Sequence, residues 1–162
     1  WWKNIKLARY DAHALLRALI CGDIPNAERE IKFVLSDSTS VFDYNEVFYH
    51  GMLVGLLGNV AIVRSNDEYG EGRPDIVALA EDTGMILEIK CVTPKALKNA
   101  GIQDNDRAKI KAMMAIKLDE AEKQIRDHEY IEAVLDDEPI ALTVKAYAVC
   151  FCKKRCVIRE VK

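Results

Sequence analysis

Apolar residues recur at helical spacing over the first third of the chain: Ile5, Ala8, Ala12, Leu15, Leu16 and Leu19 fall on one face. Cys21-Gly22 supplies a stop. Pro25 suits the first turn of a second helix, which runs to about Leu35 with Ala27, Ile31, Val34 and Leu35 on one side. Ser36 to Ser40 reads as polar loop, and a third helix is expected from Tyr44 to about Leu57 with Asp43 as its N-cap. The period then shortens. Val60 to Arg64 predicts a strand, Asn66 to Gly72 a glycine-rich acidic loop, and Ile76 to Ala80 with Met85 to Ile89 a hairpin around Glu81-Asp82-Thr83-Gly84. A long charged connection leads to a helix expected over Ile116 to Leu135. Thr143 to Phe151 predicts a further strand, Lys153-Lys154-Arg155 a turn, and Cys156 to Val161 a short last strand. Helices, three strands, helix, strand is an order that suits a mixed sheet with helices packed on it. It divides the chain into an N-terminal helical extension, residues 1–42, and a mixed α/β (α+β) domain, residues 43–162.

Composition agrees with one folded domain. Of 162 residues, 50% are hydrophobic and 30% charged, the balance of a soluble globular chain. No apolar run reaches the length of a membrane span, and no basic-then-apolar leader opens the chain. The chain starts at Trp1-Trp2 without a methionine, which fits a piece of a longer protein. Its five cysteines form no CxxC pair, so Cys21, Cys91, Cys150, Cys152 and Cys156 read as small hydrophobes in a reducing cytoplasm rather than as a zinc cage.

The net charge of −3 excludes a generic polyanion binder, but its distribution is uneven. Between Val92 and Lys117 six basic residues face Asp104 and Asp106, a local excess of +4 that leaves −7 on the rest. Such a stretch, with Lys95, Lys98, Lys109 and Lys111, fits an arm that grips phosphate. A solvated loop is the competing reading.

The hairpin carries the chemistry. With its turn centred between Asp82 and Thr83, Asp75 is expected opposite Lys90, and Val77 opposite Glu88. Asp75, Glu88 and Lys90 then share one face, while Ile76, Ala78, Ala80, Met85, Leu87 and Ile89 turn to the core. Paired carboxylates repel unless a cation or proton lies between them, and oxygen ligands suit Mg²⁺ or Mn²⁺. The plainer alternative is a salt bridge of Asp75 with Lys90 across an ordinary hairpin.

Surrounding residues weigh against that alternative. Gly70-Glu71-Gly72-Arg73-Pro74-Asp75-Ile76-Val77 followed by Met85-Ile86-Leu87-Glu88-Ile89-Lys90 resembles the Pro-Asp and Glu-x-Lys signature of the PD-(D/E)XK nuclease superfamily. Glu46-Val47-Phe48-Tyr49-His50-Gly51 with Gly55-Leu56-Leu57, Ser65-Asn66-Asp67-Glu68-Tyr69-Gly70, and Gln124-Ile125 before Tyr130 resemble its bacterial branch, in which the domain follows an AAA-ATPase-like domain. The resemblance implies a restriction-endonuclease-like αβββαβ core and a Mg²⁺- or Mn²⁺-dependent nuclease acting on nucleic acid, DNA foremost. It implies metal ligation by Asp75, Glu88 and the Ile89 carbonyl, with Lys90 assisting the attacking water. Glu46 would organise a second metal or a water, and Gln124 would approach the phosphate. Arg73 and Asn66 lie where phosphate contacts are expected, or stabilise their loop. Other readings stand beside these. Asp43-x-x-Glu46 is also a capping box, Gln124 also an exposed helix residue, and His50 reads as a hydrogen-bonding residue rather than a ligand. No G-x-x-x-x-G-K-[ST] sequence is present, so ATP hydrolysis is not assigned to this chain. The rival function is a catalytically silent interaction or regulatory module of the same fold.

Overall fold

The computed structural model describes residues 10–37 and 44–162. Among the described residues three helices come first: α1 (Ala12–Cys21), α2 (Ile24–Asp37) and α3 (Glu46–Leu57). The strands β1 (Ile62–Ser65), β2 (Ile76–Ala80) and β3 (Thr83–Cys91) follow. Then come α4 (Pro94–Asn99), α5 (Arg107–Asp127) and α6 (Tyr130–Asp137), and finally β4 (Thr143–Cys152) and β5 (Arg155–Val161). The strands form one mixed sheet in the order β1-β2-β3-β4-β5, antiparallel except for the parallel pair β3–β4. This is the mixed sheet flanked by helices that the pattern predicts, consistent with a restriction-endonuclease-like fold.

Both faces of the sheet are covered. Ile76, Ala78, Met85, Leu87 and Ile89 pack with Tyr147, Val149 and Phe151 against Leu15, Leu19, Ile31, Leu35, Tyr49 and Leu53 of α1, α2 and α3. The hairpin face predicted to be core is core. On the opposite face Val77, Ile86, Ala146, Ala148 and Cys150 pack against Ile110, Met114, Leu118, Ala121 and Ile125 of α5 and Val134 of α6. Cys150 and Cys152 lie in this second core and Cys156 in the first, all as free thiols. Burial pushes the Cys150 thiol up to about 12, which keeps it protonated and inert.

Several boundaries differ from expectation. The first helix begins at Ala12, because Asp11 adopts an extended conformation and its carboxylate accepts from His13 N at 2.9 Å. Ile5 and Ala8 lie outside the described residues. Gly22, at φ 72°, makes the predicted stop. Ser36 and Asp37 belong to α2, and residues 38–40 of the expected polar loop lie outside the described residues. The third helix starts at Glu46 and is capped by Asn45, whose side chain accepts from Phe48 N at 2.9 Å. Asp43 lies outside the described residues, and Glu46 is the first helical residue rather than the third, so the capping-box reading fails.

The charged connection is mostly helical. It contains α4, capped by Thr93 Oγ1 accepting from Ala96 N at 3.1 Å, and the start of α5. Apolar residues at Ile110, Met114, Leu118, Ala121 and Ile125 mark one buried stripe along α5. The helix expected over Ile116 to Leu135 is therefore two helices, broken at Glu129 with φ 49°.

Candidate active site

The site forms where β2 parts from β3. Their ladder ends at Ile76↔Leu87, so the next opposed pair is Asp75 and Glu88. The expected register, with Asp75 opposite Lys90, is corrected: the turn is the two residues Glu81-Asp82, and Thr83 already pairs with Ala80. Glu81 takes the positive φ, 55°, that this tight turn needs. The slip is an even number of residues, so each side chain keeps its face. Asp75, Glu88 and Lys90 still share one side.

Asp75 stands just before β2, behind buried Pro74. Its Oδ2 accepts from Ile89 N at 2.8 Å, taking the place of the backbone acceptor that β2 no longer offers. In a strand the carbonyl of Ile89 shares that edge with its amide. Glu88 is fully buried, and among the described residues its Oε2 has no hydrogen-bond partner. Burial, then the charge of Asp75, pushes its carboxyl up to about 7, against the opposing pull of Lys90 and of the Asp75 backbone amide. Lys90 Nζ donates to Glu88 Oε1 at 2.9 Å and to Gln124 Oε1 at 3.1 Å. Burial draws the Lys90 pKa down, but the bond and charge of Glu88, with the charges of Asp75 and Glu46, outweigh it and the ammonium is stabilised. The salt bridge weighed from sequence thus exists, with Glu88 rather than Asp75 as partner.

Asp75, Glu88, Ile89, Lys90 and Gln124 are brought together. Gln124, half-buried beside the stripe of α5, reaches across to β3. Glu46 lies in the exposed first turn of α3, close enough for its charge to favour the Lys90 ammonium but without a hydrogen bond to it. Arg73 is exposed and pairs with Glu68. Asn66, also exposed, donates its backbone N–H to Asp75 O at 3.2 Å. Lys95 and Lys98 on α4, and Lys109 and Lys111 on α5, are exposed, and Lys109 pairs with Asp106 at 3.7 Å. His50 Nε2 lies 3.1 Å from Asp75 O and 3.0 Å from Ser65 Oγ.

A hard divalent cation asks for several oxygen donors on one side of a cleft. Among the described residues no three His, Cys, Asp or Glu side chains form a metal-holding group. Two carboxylates and a carbonyl on one edge are nevertheless oxygen donors of the right kind, and the unpartnered Glu88 Oε2 lacks the positive neighbour such an ion provides. The residues fit.

Sequence reasoning missed the clasp behind the site. Glu138, just past α6 and 6% exposed, accepts from Tyr69 Oη and from Arg64 Nε, each at 2.6 Å. Tyr130 closes the same region: a Cβ on Gly72 would come within 2.6 Å of its ring. A Glu before proline carries no periodicity, and Glu138 ends the acidic run Asp136-Asp137-Glu138, where nothing marks it for burial.

The family model of the PD-(D/E)XK nuclease superfamily matches residues 44–161, from the lead-in to α3 through the last residue of β5. No curated protein matches the chain significantly, and no solved structure does.

Proposed function

Because the chain belongs to the PD-(D/E)XK nuclease superfamily, we propose that it is a Mg²⁺- or Mn²⁺-dependent nuclease hydrolysing phosphodiester bonds of DNA. One observation carries the reading: buried Glu88, opposite Asp75, has an oxygen without a partner and a carboxyl pushed up to about 7. A buried carboxylate facing a second, half-buried one in that condition calls for a cation. Asp75, Glu88 and the Ile89 carbonyl would hold it, and Glu46 would approach from α3 to organise a second ion or a water. When bound, the ion supplies positive charge at the phosphate and lowers the pKa of a water.

The protein's own part is orientation and charge. Lys90, held between Glu88 and Gln124, keeps an ammonium at the mouth of the pair. There it donates to a phosphate oxygen as negative charge develops and orients the water that attacks phosphorus. Gln124 steers the substrate backbone. Arg73, Asn66, Lys95, Lys98, Lys109 and Lys111 would contact flanking phosphates. The motif pattern from Glu46 to Tyr130 supports a bacterial, cytoplasmic setting behind an AAA-ATPase-like domain, with residues 1–42 as a helical extension on the domain of residues 43–162. The free thiols suit that compartment. No helix among the described residues is long and apolar enough to cross a membrane.

A second reading, a catalytically silent module, is favoured by the Lys90–Glu88 pair, which already offsets part of the buried charge. Plasmid incubated with the protein and Mg²⁺ or Mn²⁺ separates the two. Cleavage is expected from the native chain and not from Asp75→Asn. Equal cleavage by both samples overturns the catalytic assignment.

A further inference from the structure

Asp75 lies one residue beyond the β2–β3 ladder, so the sheet does not by itself hold it. Three donors from a strand, a loop and a helix do. The Ile89 amide of β3 binds its carboxylate at 2.8 Å, Asn66 N beyond β1 binds its carbonyl at 3.2 Å, and His50 Nε2 of α3 binds the same carbonyl at 3.1 Å. A carbonyl only accepts, so Nε2 carries the proton, and Ser65 Oγ at 3.0 Å shares it. His50 is the only one of the three donors that is a side chain, and the only one that crosses from a helix. It also sits one turn after Glu46 on the same face of α3. The bond therefore fixes the first turn of α3, with Glu46, at a set distance from Asp75.

The geometry points to His50 as a positioning residue that holds the Asp75 peptide, and through it the Asp75 carboxylate, in the orientation needed for ligation. The role rests on the reading of Asp75 as a cation ligand. Ligands whose outer partners are removed lose about 10- to 100-fold in metal affinity, because the carboxylate must then be ordered as the ion binds.

Two readouts on the full chain test it, for His50→Ala, for His50→Gln, which restores an amide donor, and for Leu53→Ala, which loosens the buried side of α3 and removes no hydrogen-bonding group. The first, hydrogen exchange of the Ile89 amide, needs no metal. His50→Ala is expected to lose protection at Ile89 relative to its strand neighbour Leu87, His50→Gln to keep it, and Leu53→Ala to lower both together. The second is Mn²⁺ titration: His50→Ala binds about 10- to 100-fold more weakly, and His50→Gln recovers most of the affinity. Unchanged relative protection at Ile89 in His50→Ala, or equal loss in His50→Ala and Leu53→Ala, overturns the proposal. Failure of the native chain to take up Mn²⁺ overturns the nuclease reading instead, and the exchange measurement still decides whether His50 holds Asp75.

Discussion

Glu88 is the residue on which the chemistry turns, and its charge is held against the pull of its surroundings. A carboxyl raised from 4.5 to about 7 by burial and by Asp75 binds more protons folded than unfolded between those values. Stability of the metal-free chain therefore falls as pH rises through that window. The loss attributable to this group is on the order of 3 kcal/mol by the top of the window. Urea unfolding from about pH 4.5 to 7.5 should show the slope in the native chain and a flatter one in Glu88→Gln. Identical slopes would mean that Glu88 is solvated. At this scale the sequence was legible in parity and blind in register. Alternation put Asp75, Glu88 and Lys90 on one face, and an even slip could not disturb that. The identity of the ion pair depended on which residues made the turn, and Thr83, β-branched and drawn into β3 beside Ala80, moved it.

Among the elements, strands were easier to read than helices. β2, β3 and β4 are nearly continuous apolar runs because helices cover both faces. α5 was harder, since its first three turns expose Arg107, Lys109 and Lys111 and bury only Ile110 and Met114, so charge masked the period. α6 matters through its end. Glu138 ties it to Arg64 of β1 and to Tyr69 in the loop that leads to Asp75. Glu138→Ala strands the Tyr69 hydroxyl, whose residue is 3% exposed, and should destabilise the chain by about 1–3 kcal/mol in urea unfolding. The Arg64 half adds little, because that guanidinium reaches solvent. A change within about 0.5 kcal/mol would show that the clasp is ornamental.

Over the whole molecule, α3 and the succession of five strands could be read from the changes of period, whereas α4, the break between α5 and α6 and the place of the basic residues could not. Lys95, Lys98, Lys109 and Lys111 ride on two helices instead of a loose loop, which fixes their spacing. Replacing all four with Ala should weaken DNA binding and flatten its salt dependence, by a slope of about 0.9 for each phosphate no longer neutralised. An unchanged slope assigns them to solvent or to a protein partner.

The parallel pairing of β3 with β4, the single one among the described residues, has a kinetic consequence. Asp75 and Glu88 meet across a two-residue turn, a closure that takes microseconds in isolated hairpins. Gln124, the second anchor of Lys90, belongs to the long crossover that must wrap the sheet before β4 can dock. Such distant pairings form slowly, because loop entropy is lost before the pairing rewards it. The carboxylates are thus juxtaposed early, and the lysine is locked in place only when β4 has joined.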